Sequence, residues 1–372
     1  MVPRSCRFRS PRRLASVLSL LALSAGPLSL ADEPLTRPER SGFSETSSYT
    51  DVMEFLRPLA EKTPWMHLTT FGYTYEGRAL PLAVIRKKGG FSPRAIREDD
   101  RIRILIMANI HAGEVCGKEA SLMLIRDLAA GRHAQWIDRI TLLLAPIYNA
   151  DGNERVALDH RPLQNGPVGG MGQRPNAQGY DLNRDHMKLD TPEARSLVRL
   201  MNLYDPDVVV DLHTTDGSRH GYMLTYSPPL HPDTAPAITH LLRDSWFPAV
   251  SRALSDKDGW QTYFYGNVPR LDSDARRGWY TFDHRPRFNN NYVGLRNRFA
   301  ILSEAYAYAT FKDRVRATLR FVEEIVSYAL HHRREIRRIV RDADAEPLAG
   351  RTMALAAAAV ASPQPARILL GD

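Results

Sequence analysis

The distribution of apolar residues along the chain predicts strands that alternate with helices. Four short runs, residues 103–108, 140–146, 207–212 and 299–303, are apolar almost throughout and have the length of buried strands. Residues 117–128 instead carry apolar side chains at helical spacing. Strands that are apolar along their whole length are typical of a sheet covered on both faces. We therefore predict an α/β fold of three layers, α/β/α, in which the central layer is a mixed, largely parallel twisted sheet.

Candidate catalytic side chains follow or end three of these strands. His111 and Glu114 come after the first strand, His213 after the third, and Glu304 at the end of the fourth. Ligands of open α/β sheets bind outside the carboxyl ends of the strands, so we expect these side chains to meet at one edge. Two histidines and a carboxylate are the protein ligands of a catalytic zinc, and a further carboxylate can act as a general base.

Taken singly, these residues have other interpretations. His213 alone could be a loop histidine satisfied by hydrogen bonds, and Glu304 could pair with Arg296 or Arg298. Two histidines and a carboxylate would also suit iron or cobalt. Cys116 lies two residues after the predicted ligand Glu114, and residues two apart on a helix do not face together, so we expect a buried thiol there.

A second dense group of polar residues follows a long predicted loop at residues 159–180. Asn183 and Arg184 together can grip a carboxylate, the arginine in bidentate fashion. Arg174 is a further cation in the loop. The alternative for each arginine is a solvated side chain that bonds the local backbone. A second long loop, at residues 214–232, is predicted after His213.

The ordered set of motifs resembles the zinc carboxypeptidase family, the funnelins of carboxypeptidase A/B type. The resemblance covers roughly residues 48–340. It rests on Glu76-Gly77-Arg78, His111-x-x-Glu114, Asn149-Ala150-Asp151-Gly152, Asp181-Leu182-Asn183-Arg184, His213 after a strand, and Glu304 near the end.

The resemblance implies roles for the residues at the metal. His111, Glu114 and His213 would be the ligands of one zinc ion, and Glu304 would be the general base and acid. The implied enzyme is a zinc-dependent metallocarboxypeptidase that hydrolyses C-terminal peptide bonds through a zinc-activated water.

The resemblance also implies residues that contact the substrate. Arg174 would polarise the scissile carbonyl and hold the oxyanion, and Asn183 and Arg184 would bind the terminal carboxylate of the peptide. The family uses a mobile tyrosine as well, for which Tyr280 fits the spacing best and Tyr292 is the alternative. The expected partner is a peptide substrate with a free C-terminal carboxylate.

Two other functions fit the same residues. One is a zinc-dependent amidase or deacylase acting on N-acyl amino acids or peptidoglycan stem peptides. Such an enzyme would use Asn183 and Arg184 to hold a carboxylate of its substrate. A metal-free binding module on the same fold is the other alternative, although such a module needs no general base at Glu304. The sequence indicates neither the preferred side chain nor the oligomeric state.

The ends of the chain differ in composition from the rest. Residues 1–31 have a basic start, an apolar stretch and small residues before a cleavage site ahead of Asp32, so we predict a signal peptide and export to the periplasm or medium. A polar leader (32–47), the catalytic domain (48–345) and a C-terminal tail or the start of a truncated module (346–372) follow.

The charge balance bears on nucleic acid as a partner, and the cysteine content bears on disulfide bonds. The formal net charge of +8 includes five arginines in residues 1–31, which hold no acid, and falls to +3 without them. This balance does not favour nucleic acid as a partner. No membrane span is predicted in the mature chain. Only Cys116 remains after the signal peptide, so no internal disulfide is expected.

Overall fold

A computed structural model describes residues 33–215, 217–269 and 278–371. In these residues the chain forms an eight-stranded mixed sheet with helices packed around it, which confirms the predicted α/β fold. The strands are β1 (Met66–Tyr73), β2 (Ala79–Ile85), β3 (Ile102–Ala108), β4 (Ile140–Ala145), β5 (Val208–Thr214), β6 (Leu224–Ser227), β7 (Thr262–Phe264) and β8 (Phe299–Ala305).

The sheet is parallel at its centre and mixed towards its edges. The strand order is β1-β2-β4-β3-β5-β8-β6-β7. β4, β3, β5 and β8 are parallel neighbours, whereas β2 joins β4, and β6 joins β8, in antiparallel fashion. Every residue of β3, β4 and β5 is buried. The continuous apolar runs of the sequence are therefore the central strands, whose carboxyl ends point to one edge.

Helices connect the strands and cover the sheet. A π-helical segment, Leu241–Trp246, joins the helix Pro236–His240 to the helix Phe247–Asp258. The helices are α1 (Arg37–Arg40), α2 (Tyr49–Lys62), α3 (Pro93–Arg97), α4 (Cys116–Ala129), α5 (Ala134–Arg139), α6 (Ala150–Glu154), α7 (Pro192–Tyr204), α8 (Pro236–His240), α9 (Phe247–Asp258), α10 (Asn289–Leu295) and α11 (Phe311–Ala345).

The start of α4 lies unusually close to the sheet. A Cβ atom at Gly117 would stand 2.6 Å from Cβ of Leu212 on β5 and 3.2 Å from Cβ of Ala108 on β3. Only a glycine fits this approach, because any side chain would push the helix away from the strands. The contact fixes the turn just before α4, where two of the predicted metal ligands lie.

Residues 33–47, the described part of the predicted polar leader, pack onto the segment that contains α4. Glu39 receives a hydrogen bond from Arg126 of α4 over 2.7 Å. Glu33 accepts two from Arg132, each 2.8 Å long. These ion pairs anchor the described part of the leader; the predicted signal peptide, residues 1–31, lies outside the described residues.

The tail that follows α11 returns to the rim of the sheet. The backbone N of Ala354 donates to Asp233 over 2.8 Å, and the backbone N of Gly221 donates to the carbonyl oxygen of Leu369 over 2.9 Å. The described part of residues 346–372 thus contacts the rest of the chain at these two points, and most of its residues are exposed. Among the described helices, none combines the length and the apolar character that crossing a membrane requires.

Candidate metal centre

The turn between β3 and α4 presents His111 and Glu114 together. Asn109 adopts a left-handed conformation (φ 66°) and its Nδ2 donates to the carbonyl oxygen of Ala112 over 3.1 Å. The backbone N of Glu114 donates to the carbonyl oxygen of His111 over 2.9 Å. Asparagine tolerates the left-handed region better than most residues. This tight turn places both predicted ligands at the carboxyl edge of the sheet.

His213, at the end of β5, completes a group of three buried donors. The ligand atoms of His111, Glu114 and His213 all lie within 4.8 Å of one another. Nδ1 of His111 is 3.0 Å from Oε1 of Glu114, and Nδ1 of His213 is 2.8 Å from Oε2 of the same carboxylate. Two imidazole nitrogens and a carboxylate facing one point are the donor set of a catalytic zinc site.

The remote ring nitrogens of both histidines face carboxylates. Nε2 of His111 lies 3.0 Å from Oδ1 of Asp181, and Nε2 of His213 lies 3.2 Å from Oδ2 of Asp211. A carboxylate at one ring nitrogen holds the proton there and leaves the other nitrogen free to bind a metal. The arrangement therefore fits zinc coordination by Nδ1 of each histidine.

Positive charge surrounds the carboxylate of Glu114. Nη2 of Arg161 donates to Oε1 over 2.9 Å, and the backbone N of Thr214 donates to Oε2 over 3.1 Å. Burial opposes ionisation of this group, but His111 and Arg161 outweigh burial and hold the pKa of Glu114 well below its usual range. Glu114 is thus an anionic donor in a buried setting.

Glu304 lies beside the three donors because of strand register. In the parallel pair of β5 and β8, Glu304 is the direct partner of His213. Directly paired residues of neighbouring strands project from the same face of a sheet. Both side chains line a cavity of about 440 Å³. The cavity is lined by His111, Glu114, Arg174, Asp181, Asn183, Arg184, His213, Thr214, Tyr265, Phe282, Phe288, Asn290, Leu302 and Glu304.

Arg174 reaches this cavity from the long loop. Its Nε donates to Oδ2 of Asp181 over 3.0 Å, and its Nη1 lies 3.7 Å from Oε1 of Glu114. Asp181 therefore holds Arg174 through one oxygen and His111 through the other. Burial raises the pKa of Asp181, but the hydrogen bond from His111 and the charge of Arg174 outweigh it and lower the pKa.

Asn183 and Arg184 line the same cavity as the three possible metal ligands, and Arg184 gives it a positive charge. Oδ1 of Asn183 accepts from the backbone N of Asn289 over 2.9 Å, which leaves its amide NH₂ without a partner among the described residues. The guanidinium of Arg184 lies 4.2 Å from the centre of the Phe288 ring and forms no ion pair with the described residues. Burial and the neighbouring arginines lower the pKa of Arg184. An anionic ligand would relieve this crowding of positive charge.

The structure places the predicted tyrosines away from the cavity lining. Tyr280 is 45% exposed, and its backbone pairs with Asn267. The ring of Tyr292 lies 5.7 Å from the ring of His186. Tyr265, which no motif in the sequence indicates, lines the cavity instead, with Asn267 donating to its hydroxyl over 3.2 Å.

Some residues of the site carry no sequence signal of their own. Arg161 lies in a Gly- and Pro-rich loop, and no pattern in the sequence indicates that this loop contacts Glu114. Asp211 is a single charged residue within an apolar strand. A carboxylate two residues before His213 on the same strand face was the available signal for Asp211, because alternate strand residues share a face.

His186 is expected to make the protein less stable in acid. Both of its ring nitrogens are buried without a hydrogen-bond partner among the described residues, and burial lowers the pKa of His186 to about 4. Between pH 6.5 and 4 the unfolded chain binds a proton that the folded chain does not, so stability falls as the pH falls. The loss amounts to about 3 kcal/mol at most.

The His186→Phe variant should therefore lose less stability than the wild type over this interval in urea titrations at a series of pH values. The exposed His240, replaced by Phe, serves as a control. Parallel pH profiles for the wild type and the His186→Phe variant would contradict the assignment.

Comparisons with known proteins agree with this geometry. Residues 52–218 match the family model described as zinc carboxypeptidase. Carboxypeptidase 2 of Trichophyton rubrum is 28% identical over 185 residues, which are 48% of this chain and 31% of that protein. Carboxypeptidase D of Rattus norvegicus is 29% identical over 158 residues, which are 41% of this chain and 11% of that protein. The chain thus matches less than a third of the length of these curated relatives.

Solved structures share the fold. A metallo-carboxypeptidase from Burkholderia cenocepacia superposes with a TM-score of 0.55 at 17% identity, covering 76% of this chain and 70% of that one. A metallo-carboxypeptidase from Pseudomonas aeruginosa in complex with (2-guanidinoethylmercapto)succinic acid gives 0.54 at 15% identity, covering 78% and 70%. Part of the chain thus matches the zinc carboxypeptidase family model, and the whole fold is similar to that of solved metallo-carboxypeptidases.

Proposed function

We propose that this protein is a zinc-dependent metallocarboxypeptidase that hydrolyses the C-terminal peptide bond of peptides with a free carboxylate. One observation carries the proposal: three kinds of group line a single cavity. They are the possible metal ligands His111, Glu114 and His213, the carboxylate of Glu304 beside them, and the hydrogen-bond donors of Asn183 and Arg184. The first two features suit hydrolysis of an amide, and the third suits a substrate that ends in a carboxylate.

Zinc held by the three donors would supply a Lewis acid that polarises the scissile carbonyl and acidifies the attacking water. Glu304 is the proposed general base, because its strand partner is the ligand His213 and it faces the same cavity. It takes a proton from the attacking water and then delivers that proton to the nitrogen of the leaving amino acid.

Arg174 is the proposed donor to the oxyanion. Its ion pair with Asp181 holds the guanidinium at the cavity wall, where its Nη1 is 3.7 Å from Glu114. A preorganised donor of this kind is typically worth about 3–4 kcal/mol in the transition state. The charge is in place before the reaction, so no reorganisation is needed when the oxyanion forms.

Asn183 and Arg184 are the proposed site for the terminal carboxylate. Asn183 and Arg184 both line the cavity, and the amide NH₂ of the one and the guanidinium of the other can donate together to the two carboxylate oxygens. Tyr265 is the tyrosine that we propose contacts the bound peptide, since it lines the same cavity. Tyr280 and Tyr292 remain predictions from spacing.

We also propose that the enzyme works outside the cytoplasm, in the periplasm or the medium. The support for this proposal is the predicted signal peptide at residues 1–31. Export is consistent with a scavenging or processing peptidase, because its substrates would then be extracellular or envelope peptides.

Removal of the metal is expected to abolish hydrolysis. Treatment with a chelator should reduce cleavage of a free-ended peptide to background, and one equivalent of zinc should restore it, because the donors His111, Glu114 and His213 are a zinc set. Magnesium serves as the control, since it prefers oxygen ligands in octahedral geometry and should not restore activity. Full activity of protein shown by elemental analysis to be metal-free would contradict the proposal.

A further inference from the structure

A chain of buried polar contacts connects Asn183 with His213. Its centre is Asn289, the first residue of α10, whose backbone N donates to Oδ1 of Asn183 over 2.9 Å. The side-chain Nδ2 of Asn289 donates to Oδ2 of Asp211, also over 2.9 Å. The same oxygen of Asp211 lies 3.2 Å from Nε2 of His213. All four residues are buried.

The hydrogen-bonding chemistry fixes the orientation of each group in this chain. Only the NH₂ of Asn289 can donate to a carboxylate, so its amide cannot rotate without losing the contact. Its Oδ1 is buried with no partner among the described residues. Nε2 of His213 likewise has no hydrogen-bond partner there, and the Asp211 carboxylate is the group that faces it. The contacts therefore run in one direction, from donor Asn289 to acceptor Asp211.

We propose that Asp211 and Asn289 are positioning residues for the metal centre. The negative charge of Asp211, 3.2 Å from Nε2 of His213, favours the proton on that nitrogen, so that Nδ1 keeps its lone pair towards Glu114, 2.8 Å away. Asn289 holds Asp211 against the histidine. Through its backbone N, Asn289 also turns the NH₂ of Asn183 towards the cavity. One residue thus orients a metal ligand and a substrate-binding residue. The inference rests on the proposed function in that His213 must bind the metal.

The zinc affinity of purified variants tests this inference without any assay of hydrolysis. Affinity is measured by competition with a chromophoric chelator for the wild type, Asp211→Asn and Asn289→Ala. We expect dissociation constants about 10–100 times higher in both variants, the usual effect of losing a group that orients a metal-binding histidine. Two-bond ¹H–¹⁵N spectra of the zinc-loaded wild type should show the His213 proton on Nε2.

A paired exchange provides the sharper test. In the double variant Asp211→Asn with Asn289→Asp, the new amide oxygen at position 211 can accept from His213, and its nitrogen can donate to the new carboxylate at position 289. The net charge is restored, and positions 211 and 289 are again joined by a hydrogen bond, now donated from position 211. We expect the double variant to bind zinc about tenfold or more tightly than Asp211→Asn alone, because the lost orientation returns.

The Michaelis constant separates the two contacts of Asn289. Asn289→Ala retains the backbone N that bonds Asn183, so at saturating zinc its KM for a free-ended peptide should stay within about twofold of the wild type. Asn183→Ala should do the opposite, raising KM while leaving zinc affinity unchanged. If Asn289 contributed only to stability, Asn289→Ala would not lower zinc affinity while leaving KM unchanged.

Asn291→Ala is the matched control. Asn291 is buried on the same helix, and its Nδ2 donates to the carbonyl oxygens of Asp283 and Arg285 rather than to Asp211. Its loss should lower the melting temperature of the metal-free protein without weakening zinc binding. Equal zinc affinity in the wild type, Asp211→Asn and Asn289→Ala would overturn the positioning roles alone. A wild-type protein that binds no zinc would overturn both these roles and the proposed function.

Discussion

The Glu304→Gln variant is expected to bind zinc as the wild type does and to lose almost all turnover. Glutamine keeps the size of the side chain and its place opposite His213 in the β5–β8 register, but it cannot accept a proton from water. A general base typically contributes 10²- to 10⁴-fold, so we expect kcat to fall by about a thousandfold with a much smaller change in KM. Steady-state kinetics and elemental analysis of the same sample measure both properties.

Replacing a glutamate outside the cavity by glutamine shows whether the loss of any buried carboxylate lowers turnover. Glu323 is buried on α11, pairs with His133 over 3.3 Å, and lies outside the cavity. Glu323→Gln should keep wild-type kcat. If Glu304→Gln hydrolysed peptide at the wild-type rate with zinc bound, Glu304 would not be the general base.

The Arg184→Met variant is expected to lose its preference for peptides with a free carboxylate. Methionine keeps an apolar stem against the Phe288 ring but removes the charge that would pair with the carboxylate. Hydrogen bonds to charged groups contribute about 1.5–3 kcal/mol, so kcat/KM for free-ended peptides should fall by roughly 10- to 150-fold. Cleavage of the amidated form of the same peptide should not change.

Arg287 offers a control on the same aromatic ring. Its guanidinium lies 5.0 Å from the centre of the Phe288 ring, but it also pairs with Asp283 over 3.2 Å. Arg287→Met should therefore affect kcat/KM less than Arg184→Met. An equal loss in the two variants would indicate that general positive charge, rather than a contact from Arg184, selects the substrate.

The central sheet and the location of the site were predictable because they depend on patterns along the chain. Continuous apolar runs indicate strands buried on both faces, and β3, β4, β5 and β8 are such strands. The carboxyl ends of parallel strands share an edge, so residues just past β3 and at the end of β5 had to approach one another. His111, Glu114 and His213 meet there for that reason.

The edge of the sheet was less accessible to sequence reasoning. Residues 214–232 were predicted to form a loop, but residues 224–227 within it form β6, which pairs with β8. A strand of four residues between glycine- and proline-containing segments has too few positions to show a periodicity. β7, with three residues, has even fewer.

Contacts between distant segments could not be derived from one sequence. Arg161 bonds Glu114, 47 residues earlier, and Asn289 bonds Asp211, 78 residues earlier. Spacing along the chain indicates neighbours only within a helix or a strand, and neither pair shares one. Tyr265 was missed for the same reason, since its place in the cavity depends on how the loop after β7 folds.

Digestion of paired peptides by the mature, zinc-loaded protein tests the central claim most directly. Each peptide is supplied with a free and with an amidated C-terminus, together with N-acyl amino acids and peptidoglycan stem peptides, and the products are identified by mass spectrometry. The donors of Asn183 and Arg184 beside the His-Glu-His group predict stepwise loss of C-terminal residues from the free-ended peptides alone. Equal cleavage of amidated peptides, or cleavage restricted to the acyl and stem-peptide amides, would contradict a carboxypeptidase.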